Sequence, residues 1–112
     1  MKVYGYCRIS TSKQSMERQI RNIKLAYPDA VIVKETYTGT KIQGRKEFEK
    51  LLKIVSTGDT LVFDSVSRMS RTAQEGYEMY QKLYNQGVSL VFLKEPHINT
   101  STYQQAMENQ LS

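Results

Sequence analysis

The sequence predicts a single α/β domain, built on a doubly wound, mostly parallel sheet of four or five strands with helices on both faces. The main observation is an alternation along the chain. Short runs rich in β-branched and aromatic residues are separated by segments whose apolar residues recur at helical spacing. Such alternation is typical of parallel sheets, because each crossover places a helix on one face. A chain of 112 residues is long enough for one modest core.

The predicted strands are Lys2–Ile9, Ala30–Glu35, Thr60–Asp64 and Val88–Leu93. Side chains alternate along a strand, so Tyr6, Arg8 and Ser10 share one face of the first run. Cys7 and Ile9 face the opposite side. A guanidinium and a hydroxyl are thereby placed together at the carboxyl end of a strand. In open α/β sheets of flavodoxin-like type, active sites gather at that edge.

Helical periodicity predicts three helices between the strands, and their apolar positions are Met16, Ile20, Ile23 and Tyr27, then Phe48, Leu51, Leu52 and Val55, then Ala73, Tyr77, Tyr80, Leu83 and Tyr84. Pro28-Asp29, Gly58-Asp59 and Gly87 end these helices. A last helix is expected from Thr100 onward. The glycine-containing, polar stretch Thr36–Gly44 predicts a loop beside the strand ends.

Composition narrows the class of protein. A single cysteine rules out an intrachain disulfide, and we find neither a signal-peptide pattern nor an apolar run of the ~18 residues that span a membrane. We therefore expect a cytoplasmic protein with no membrane partner. The net charge is +5, and residues 1–71 hold 14 Lys and Arg against 7 Asp and Glu. A basic half of this kind suits a polyanion such as nucleic acid, although a merely solvated basic surface explains the charge equally well.

Four of the six arginines fall at or near strand ends, namely Arg8, Arg45, Arg68 and Arg71. If the segment after the third strand is helical, the spacing of three puts Arg68 and Arg71 on one face. The first and third strands of such sheets are commonly neighbours, which would bring Arg8 and Ser10 close to that pair. A guanidinium binds two phosphate oxygens at once and stays charged. Each residue alone is commonly a cap or a solvated helix face, but the combination predicts a phosphate site.

Other chemistries fit the sequence less well. Cys7 faces away from Ser10 and reads as a core residue, and His97 stands in a loop without a partner for acid–base work. The spaced tyrosines of the third helix indicate a core or an interface. Asp59 and Asp64 are five residues apart, and no better carboxylate pair exists for a metal nuclease. We therefore expect no metal and no cofactor.

Several motifs match one family at the right separations: Tyr6-x-Arg8-x-Ser10-Thr11-x-x-Gln14, Gln19, Thr38-Gly39, Gly44-Arg45-Lys46-Glu47-Phe48, Gly58-Asp59-Thr60-Leu61, Ser67-Arg68-Met69-Ser70-Arg71 and Gly87-Val88. On these residues the chain resembles the catalytic domain of the serine site-specific recombinases, the resolvase and invertase group that includes the large serine integrases. The resemblance runs along nearly the whole chain.

The resemblance implies that Ser10 is a nucleophile that attacks a DNA phosphodiester and forms a 5′-phosphoserine link with a free 3′ hydroxyl. Strand exchange and religation would follow without metal or ATP. The residues expected to hold the phosphate and stabilise its transition state are Arg8, Arg45, Arg68 and Arg71, with Arg68 as a candidate acid for the leaving hydroxyl. The expected supporting residues are Tyr6, Gln14, Gln19 and Ser67.

The resemblance also implies partners and organisation. Residues 1–99 would form the catalytic domain, and residues 100–112 would begin a truncated dimerisation helix. The full-length protein would act on DNA as a homodimer that pairs into a synaptic tetramer. By itself the 112-residue chain is expected to be a monomer or a weak dimer and to be inactive on DNA.

Two positions depart from the pattern of other members. Ser67 replaces an aspartate that often precedes the first arginine of the pair, and Ile54 occupies the place of a functional lysine. Lys50 or Lys53 is an alternative for that lysine. The general base for Ser10 stays open. A non-catalytic basic module that binds nucleic acid or phosphate is the alternative function.

Overall fold

The computed structural model describes residues 1–9, 13–36, 45–70 and 72–111. Its strands are β1 (Val3–Ile9), β2 (Val31–Thr36), β3 (Thr60–Phe63) and β4 (Ser89–Phe92). They form one sheet in the order β2-β1-β3-β4, and every neighbouring pair is parallel. The predicted parallel sheet is confirmed, with strand ends that differ by one residue at most. β1 lies between β2 and β3, as the predicted pairing of first and third strands requires.

The helices are α1 (Lys13–Ala26), α2 (Lys46–Ile54), α3 (Val66–Met69), α4 (Ala73–Asn85) and α5 (Thr100–Leu111), and a 3₁₀ turn spans Pro96–Ile98. The helices between strands and the last helix lie where the periodicity predicts them. The helix α3 is shorter than the prediction required. It ends at Met69, and Ser70 is extended with φ −150° and ψ 163°.

Each face of the sheet carries its own apolar layer. On one face Cys7, Ile9 and Val62 pack against α1 through Met16 and Ile23. The other face is covered by α2, α3 and α4, and its buried aromatic side chains are Tyr4, Tyr6, Phe48, Phe63 and Phe92. The central strands are buried on both sides, which is why their sequences are almost continuously apolar. Helices on both faces confirm the doubly wound architecture.

Cys7 lies within the α1 face and has no exposed surface. Burial, reinforced by the negative charge of Asp64, raises the pKa of the Cys7 thiol to about 12. A thiol in this state is a core residue and a poor nucleophile. The prediction that Cys7 belongs to the core is confirmed.

Two turns are in tight contact at the edge of the sheet where the strands begin. Gly87 ends α4 with φ 82°, a conformation that favours glycine, and its carbonyl accepts a hydrogen bond of 2.9 Å from the Gly58 amide. The Thr57 hydroxyl donates to the carbonyl of Gln86 at 2.6 Å. This turn lies at the end of the sheet opposite Arg8.

Helix α5 projects from the body of the domain. Its first residue, Thr100, is buried, whereas Ser101 to Gln110 are exposed. An open groove of about 850 Å³ separates α5 from α4, and Tyr77, Tyr80 and Tyr84 line it. Tyr80 also stacks on Phe92 with centroids 6.3 Å apart, which fits the predicted core or interface role. Within the described ranges, no helix is long and apolar enough to cross a membrane.

Candidate active site

The site is built around Arg8, which is the next-to-last residue of the central strand β1. The Gln19 side chain from α1 holds the backbone of Arg8. Gln19 Oε1 accepts from the Arg8 amide at 3.0 Å, and Gln19 Nε2 donates to the Arg8 carbonyl at 3.1 Å. Gln19 is buried, so these bonds are shielded from water. Gln19 thereby fixes the end of the strand, and its supporting role in the chemistry stays a prediction.

The Arg8 guanidinium reaches toward α3. Its Nη2 donates to the carbonyl oxygen of Ser67. The Ser67 hydroxyl lies 2.6 Å from the hydroxyl of Ser65, and Ser65 Oγ also accepts from the Ser67 amide at the start of the helix. Ser67 therefore contacts Arg8 through its peptide carbonyl, while its hydroxyl is hydrogen-bonded to Ser65, the residue whose side chain caps α3.

Arg68 bridges α3, β1 and α1. Its Nη1 donates to the Arg8 carbonyl at 3.0 Å, and its Nη2 to the Ser15 hydroxyl at 3.4 Å. Arg68 Nε is buried and has no hydrogen-bond partner among the described residues. A buried N–H group without a partner costs about 1–3 kcal/mol. An acceptor that reaches Nε would remove this cost.

Arg45 is the N-cap residue of α2, directly before Lys46. Its Nη1 donates to the carbonyls of Arg68, at 3.3 Å, and of Met69. Its guanidinium lies 4.4 Å from the centroid of the Phe48 ring, within the range of a cation–π contact. Arg45 thus connects the start of α2 to the carboxyl end of α3.

The three arginines Arg8, Arg45 and Arg68 are linked in series through α3 and β1 by carbonyl oxygens. Among the described residues, neither Arg45 nor Arg68 forms an ion pair. Several guanidinium groups that share neutral acceptors repel one another, and an anion between them would lower that repulsion. The structure therefore brings together three of the predicted phosphate-binding residues.

Tyr6 and Gln14 take different positions from those three. The Tyr6 hydroxyl donates to Glu35 Oε1 at 3.0 Å, and its ring packs on Phe48 with centroids 4.7 Å apart. Tyr6 is fully buried, and its supporting role stays a prediction. Gln14 is exposed in the first turn of α1. The alternative lysines Lys50 and Lys53 are also exposed, and Lys50 lies 3.5 Å from Glu47.

Ser10 and Arg71 lie outside the described residues, so their roles stay predictions. The premise for pairing Arg71 with Arg68 on one helix face is wrong, since α3 ends at Met69 and Ser70 is extended. A helix of four residues cannot carry both side chains on one face.

Asp64, at the end of β3, is engaged on the other face of the sheet. Its carboxylate accepts from Asn22 Nδ2 at 2.9 Å and pairs with Lys94 Nζ at 3.2 Å. It lies on the side of Cys7, whose pKa it raises. The described residues contain no cluster of three or more His, Cys, Asp or Glu side chains suited to a metal ion. His97 lies in the 3₁₀ turn.

Two carboxylates near the site were not predicted from the sequence. Glu35 is buried and accepts from the amides of Glu47 and Phe48 at the start of α2. Glu95 Oε1 accepts from the Val66 amide at 2.9 Å at the start of α3. A signal for Glu35 was present, because α2 begins at an arginine rather than at Ser, Thr, Asp or Asn and so needs an acceptor from elsewhere.

Together the fold and the site define a class of protein, an α/β domain whose central strand ends among arginines suited to an anion. A family model described as "Resolvase, N terminal domain" matches residues 3–112. The chain belongs to this resolvase N-terminal domain family.

Individual relatives agree with this membership. The chain is 32% identical over 107 residues to the Transposon Tn21 resolvase of Escherichia coli, covering 94% of this chain and 53% of that protein. It is 30% identical over 98 residues to a resolvase of Clostridium perfringens, covering 87% of this chain and 51% of that protein. The chain spans about half the length of the curated relatives it matches.

Solved structures show the same fold. The N-terminal catalytic domain of TP901-1 integrase superposes with a TM-score of 0.70 at 17% identity, covering 99% of this chain and 90% of that one. A resolvase family site-specific recombinase from Streptococcus pneumoniae gives 0.66 at 26% identity, covering 99% and 87%. The predicted resolvase family and the predicted fold class are confirmed.

Proposed function

We propose that this domain cleaves and rejoins DNA, with Ser10 as the nucleophile and Arg8, Arg45, Arg68 and Arg71 as the phosphate-binding residues. The observation that carries the proposal is the convergence of Arg8, Arg45 and Arg68 at the end of β1. Ser10 follows Arg8 by two residues in the chain. Arg68 Nε, which is buried and has no hydrogen-bond partner in the described part of the chain, adds a donor that an anion would satisfy.

The proposed reaction balances without a co-reactant. The Ser10 hydroxyl oxygen bonds to phosphorus, the bond from phosphorus to the 3′ oxygen breaks, and the 3′ oxygen takes up a proton, for which Arg68 is the candidate donor. The serine proton leaves to solvent or to a base yet to be identified. Because the phosphodiester is exchanged rather than hydrolysed, religation is the reverse step and needs no ATP. Fixed positive charge stabilises the developing oxyanions.

The present hydrogen bonds suggest how phosphate binds. The guanidinium groups of Arg8, Arg45 and Arg68 donate to neutral carbonyls. A phosphate carries negative charge and can accept two parallel hydrogen bonds from one guanidinium, whereas a carbonyl is neutral and offers a single oxygen. A scissile phosphate would therefore compete well for donors already directed to this edge of the sheet. DNA is the proposed partner, and a dimer that pairs into a tetramer is proposed for the full-length protein.

The test is covalency. The chain is fused to a sequence-specific DNA-binding domain and incubated with duplex DNA nicked beside that domain's site, in EDTA. We expect a protein–DNA adduct that survives denaturant, that Ser10→Ala abolishes and that the matched control Ser12→Ala retains. Arg68→Ala should lower the rate of adduct formation by roughly 10²–10³.

One result would favour the alternative, a non-catalytic basic module. Three results together would count against catalysis: the fusion binds the nicked duplex, the arginine variants weaken the contribution of this domain to that binding, and no adduct forms. In that case the catalytic proposal is wrong. Sedimentation of the isolated chain addresses assembly separately. We expect a monomer or a weak dimer, and a tight dimer at micromolar concentration would contradict that expectation.

A further inference from the structure

Gly76, the fourth residue of α4, is a buried glycine within a helix. Glycine is less favourable than alanine in a helix, because its backbone loses more conformational freedom on folding. Its φ is not positive, unlike those of Gly58 and Gly87, so the backbone of α4 does not require glycine there. The reason for a glycine at this position must therefore lie in what surrounds it.

Gly76 faces the carboxyl end of α3. A Cβ atom on Gly76 would lie 2.5 Å from Ser70 Oγ, 3.5 Å from Ser70 Cβ and 3.9 Å from Met69 Cε. Non-bonded carbon atoms have their optimal separation at about 3.5–4.0 Å, so only the contact with the hydroxyl oxygen is far too short. The missing side chain of Gly76 therefore provides the space that the Ser70 hydroxyl occupies.

The Ser70 hydroxyl joins the end of α3 to the start of α4. It donates to the Thr72 carbonyl at 3.1 Å, and the Gly76 amide donates to the same carbonyl at 3.0 Å. Ser70 is also the C-cap residue of α3, and its amide donates to the Val66 carbonyl at 3.3 Å. A helix of four residues has little stability of its own, so contacts of this kind determine where α3 lies.

The position of α3 matters because its carbonyls hold the arginines of the site. The carbonyls of Arg68 and Met69, directly before the C-cap residue, accept from Arg45 Nη1. The Ser67 carbonyl accepts from Arg8 Nη2. A displacement of α3 at its carboxyl end would therefore move the acceptors of Arg45 first.

We propose that Gly76 is a positioning residue for strand cleavage: by lacking a side chain it lets α3 pack on α4 at the distance that sets the Arg45 guanidinium. The inference rests on the proposed function above. Gly76→Ala must displace either the Ser70 hydroxyl or the end of α3, and displacement of a catalytic group by about 1 Å costs up to roughly 10²-fold in rate. We expect Gly76→Ala to slow adduct formation about tenfold in the nicked-duplex assay.

A second substitution tests the contact itself. In a Ser70→Ala background the hydroxyl is absent, and the nearest remaining atom, the Cβ of that residue, lies at an ordinary contact distance of 3.5 Å. Gly76→Ala should there change the rate of adduct formation less than about twofold. It should also raise the midpoint of thermal unfolding by about 3–6 °C, because alanine is the better helix former, whereas with Ser70 present it should lower the midpoint. The matched control Gln74→Ala, exposed on the same helix, should leave the rate unchanged.

A spectroscopic measurement does not depend on catalysis. In NMR spectra of the chain, Gly76→Ala should shift the guanidinium Nε–H signal of Arg45, whereas Gln74→Ala should leave that signal in place. In an Arg45→Ala background, Gly76→Ala should change the rate of adduct formation less than about twofold, because the group it positions is absent.

The outcomes separate this inference from the proposed function. If the wild type forms the adduct and Gly76→Ala matches it in rate and in the Arg45 signal, the inference is wrong and the function stands. A tenfold loss of rate that persists in the Ser70→Ala background also overturns the inference, since the contact with the hydroxyl is then not its cause. If the wild type forms no adduct, the proposed function fails, and the Arg45 signal and the thermal midpoints alone decide whether Gly76 positions Arg45.

Discussion

At the scale of single residues, Gln19 has the largest structural consequence for the site. Its amide bonds both the N–H and the C=O of Arg8. Because Gln19 is buried, no water can replace either bond without a rearrangement. The position of the Arg8 guanidinium therefore depends on a side chain from another element.

We expect Gln19→Leu to lower the free energy of unfolding by about 1–3 kcal/mol, since it leaves polar backbone groups of Arg8 without their partner. Urea denaturation followed by circular dichroism measures this change. The matched control Gln14→Leu, exposed on the same helix, should stay within about 0.5 kcal/mol of wild type. Equal losses of unfolding free energy in the two variants would contradict the role of Gln19 in holding the Arg8 backbone.

Cys7 provides a prediction for pH dependence. The pKa of the thiol is raised to about 12 in the folded protein, so its contribution to stability is complete below the ordinary thiol pKa and is lost as the pH rises toward 12. Between pH 8 and pH 11 the unfolding free energy of wild type should fall by about 2 kcal/mol more than that of Cys7→Ala. The comparison cancels the titration of other groups, and parallel pH profiles would show that the thiol ionises normally.

The residue types at the site were readable from the sequence, but their partners were not. The alternation in β1 placed Tyr6 and Arg8 on one face and Cys7 on the other, because a strand fixes that period. The bonds from Tyr6 to Glu35 and from Arg45 to α3 join residues more than 20 positions apart. No local pattern determines such contacts.

At the scale of elements, the helices are defined as much by their ends as by their apolar faces. Helix α4 starts with a cap, where the Thr72 hydroxyl accepts from the Glu75 amide at 3.2 Å, and it ends at Gly87. Helix α2 relies on the carboxylate of Glu35 from a distant strand, and α3 adds the carboxylate of Glu95 to its own Ser65 cap. The spacing of the apolar residues from Ala73 to Tyr84 predicted α4, which spans Ala73–Asn85, whereas α3 was not defined by the sequence.

Gly87→Ala should destabilise the domain for two reasons that can be separated. A left-handed conformation costs a residue with a side chain about 1–2 kcal/mol, and a Cβ at this position would lie 2.7 Å from Thr57 Cγ2. We expect a total loss above about 2 kcal/mol, measured by chemical denaturation. In a Thr57→Ser background, which keeps the hydroxyl and removes the methyl, only the conformational part should remain. An unchanged loss there would exclude the contact as a cause.

At the scale of the whole molecule, the carboxyl edge and the amino edge of the sheet have different roles. The carboxyl edge holds the arginines, whereas the amino edge is closed by Asp59, which accepts from the amides of Lys2 and Ser56 at 2.9 and 3.0 Å. Separation of this kind lets one edge carry repelling charges while the other stabilises the fold.

Helix α5 should contribute little to the stability of the domain beyond its first residue. Deletion of residues 101–112 should lower the free energy of unfolding by only about 1–2 kcal/mol, since Ser101 to Gln110 are exposed and their contacts include the Tyr103–Tyr84 ring pair at 5.5 Å and the Thr102–Pro96 hydrogen bond at 3.0 Å. Thr100→Val should cost about 1–3 kcal/mol, because the buried Leu90 amide loses its acceptor at 3.0 Å. Thermal or urea denaturation of both variants checks the expectation. A large loss of unfolding free energy on deletion would mean that the exposed residues of α5 are packed against another surface in solution.

The sequence by itself determined the order of strands and helices, the parallel sheet and the residue types that gather at its carboxyl edge. These follow from periodicity and right-handed crossovers, which act locally or by general rule. Only the tertiary structure decided that α3 stops before Arg71, that Gln19 clamps Arg8 and that Glu35 caps the helix of Arg45. Those arrangements depend on hydrogen bonds between buried groups from distant segments, and such bonds exist only once the sheet has brought those segments together.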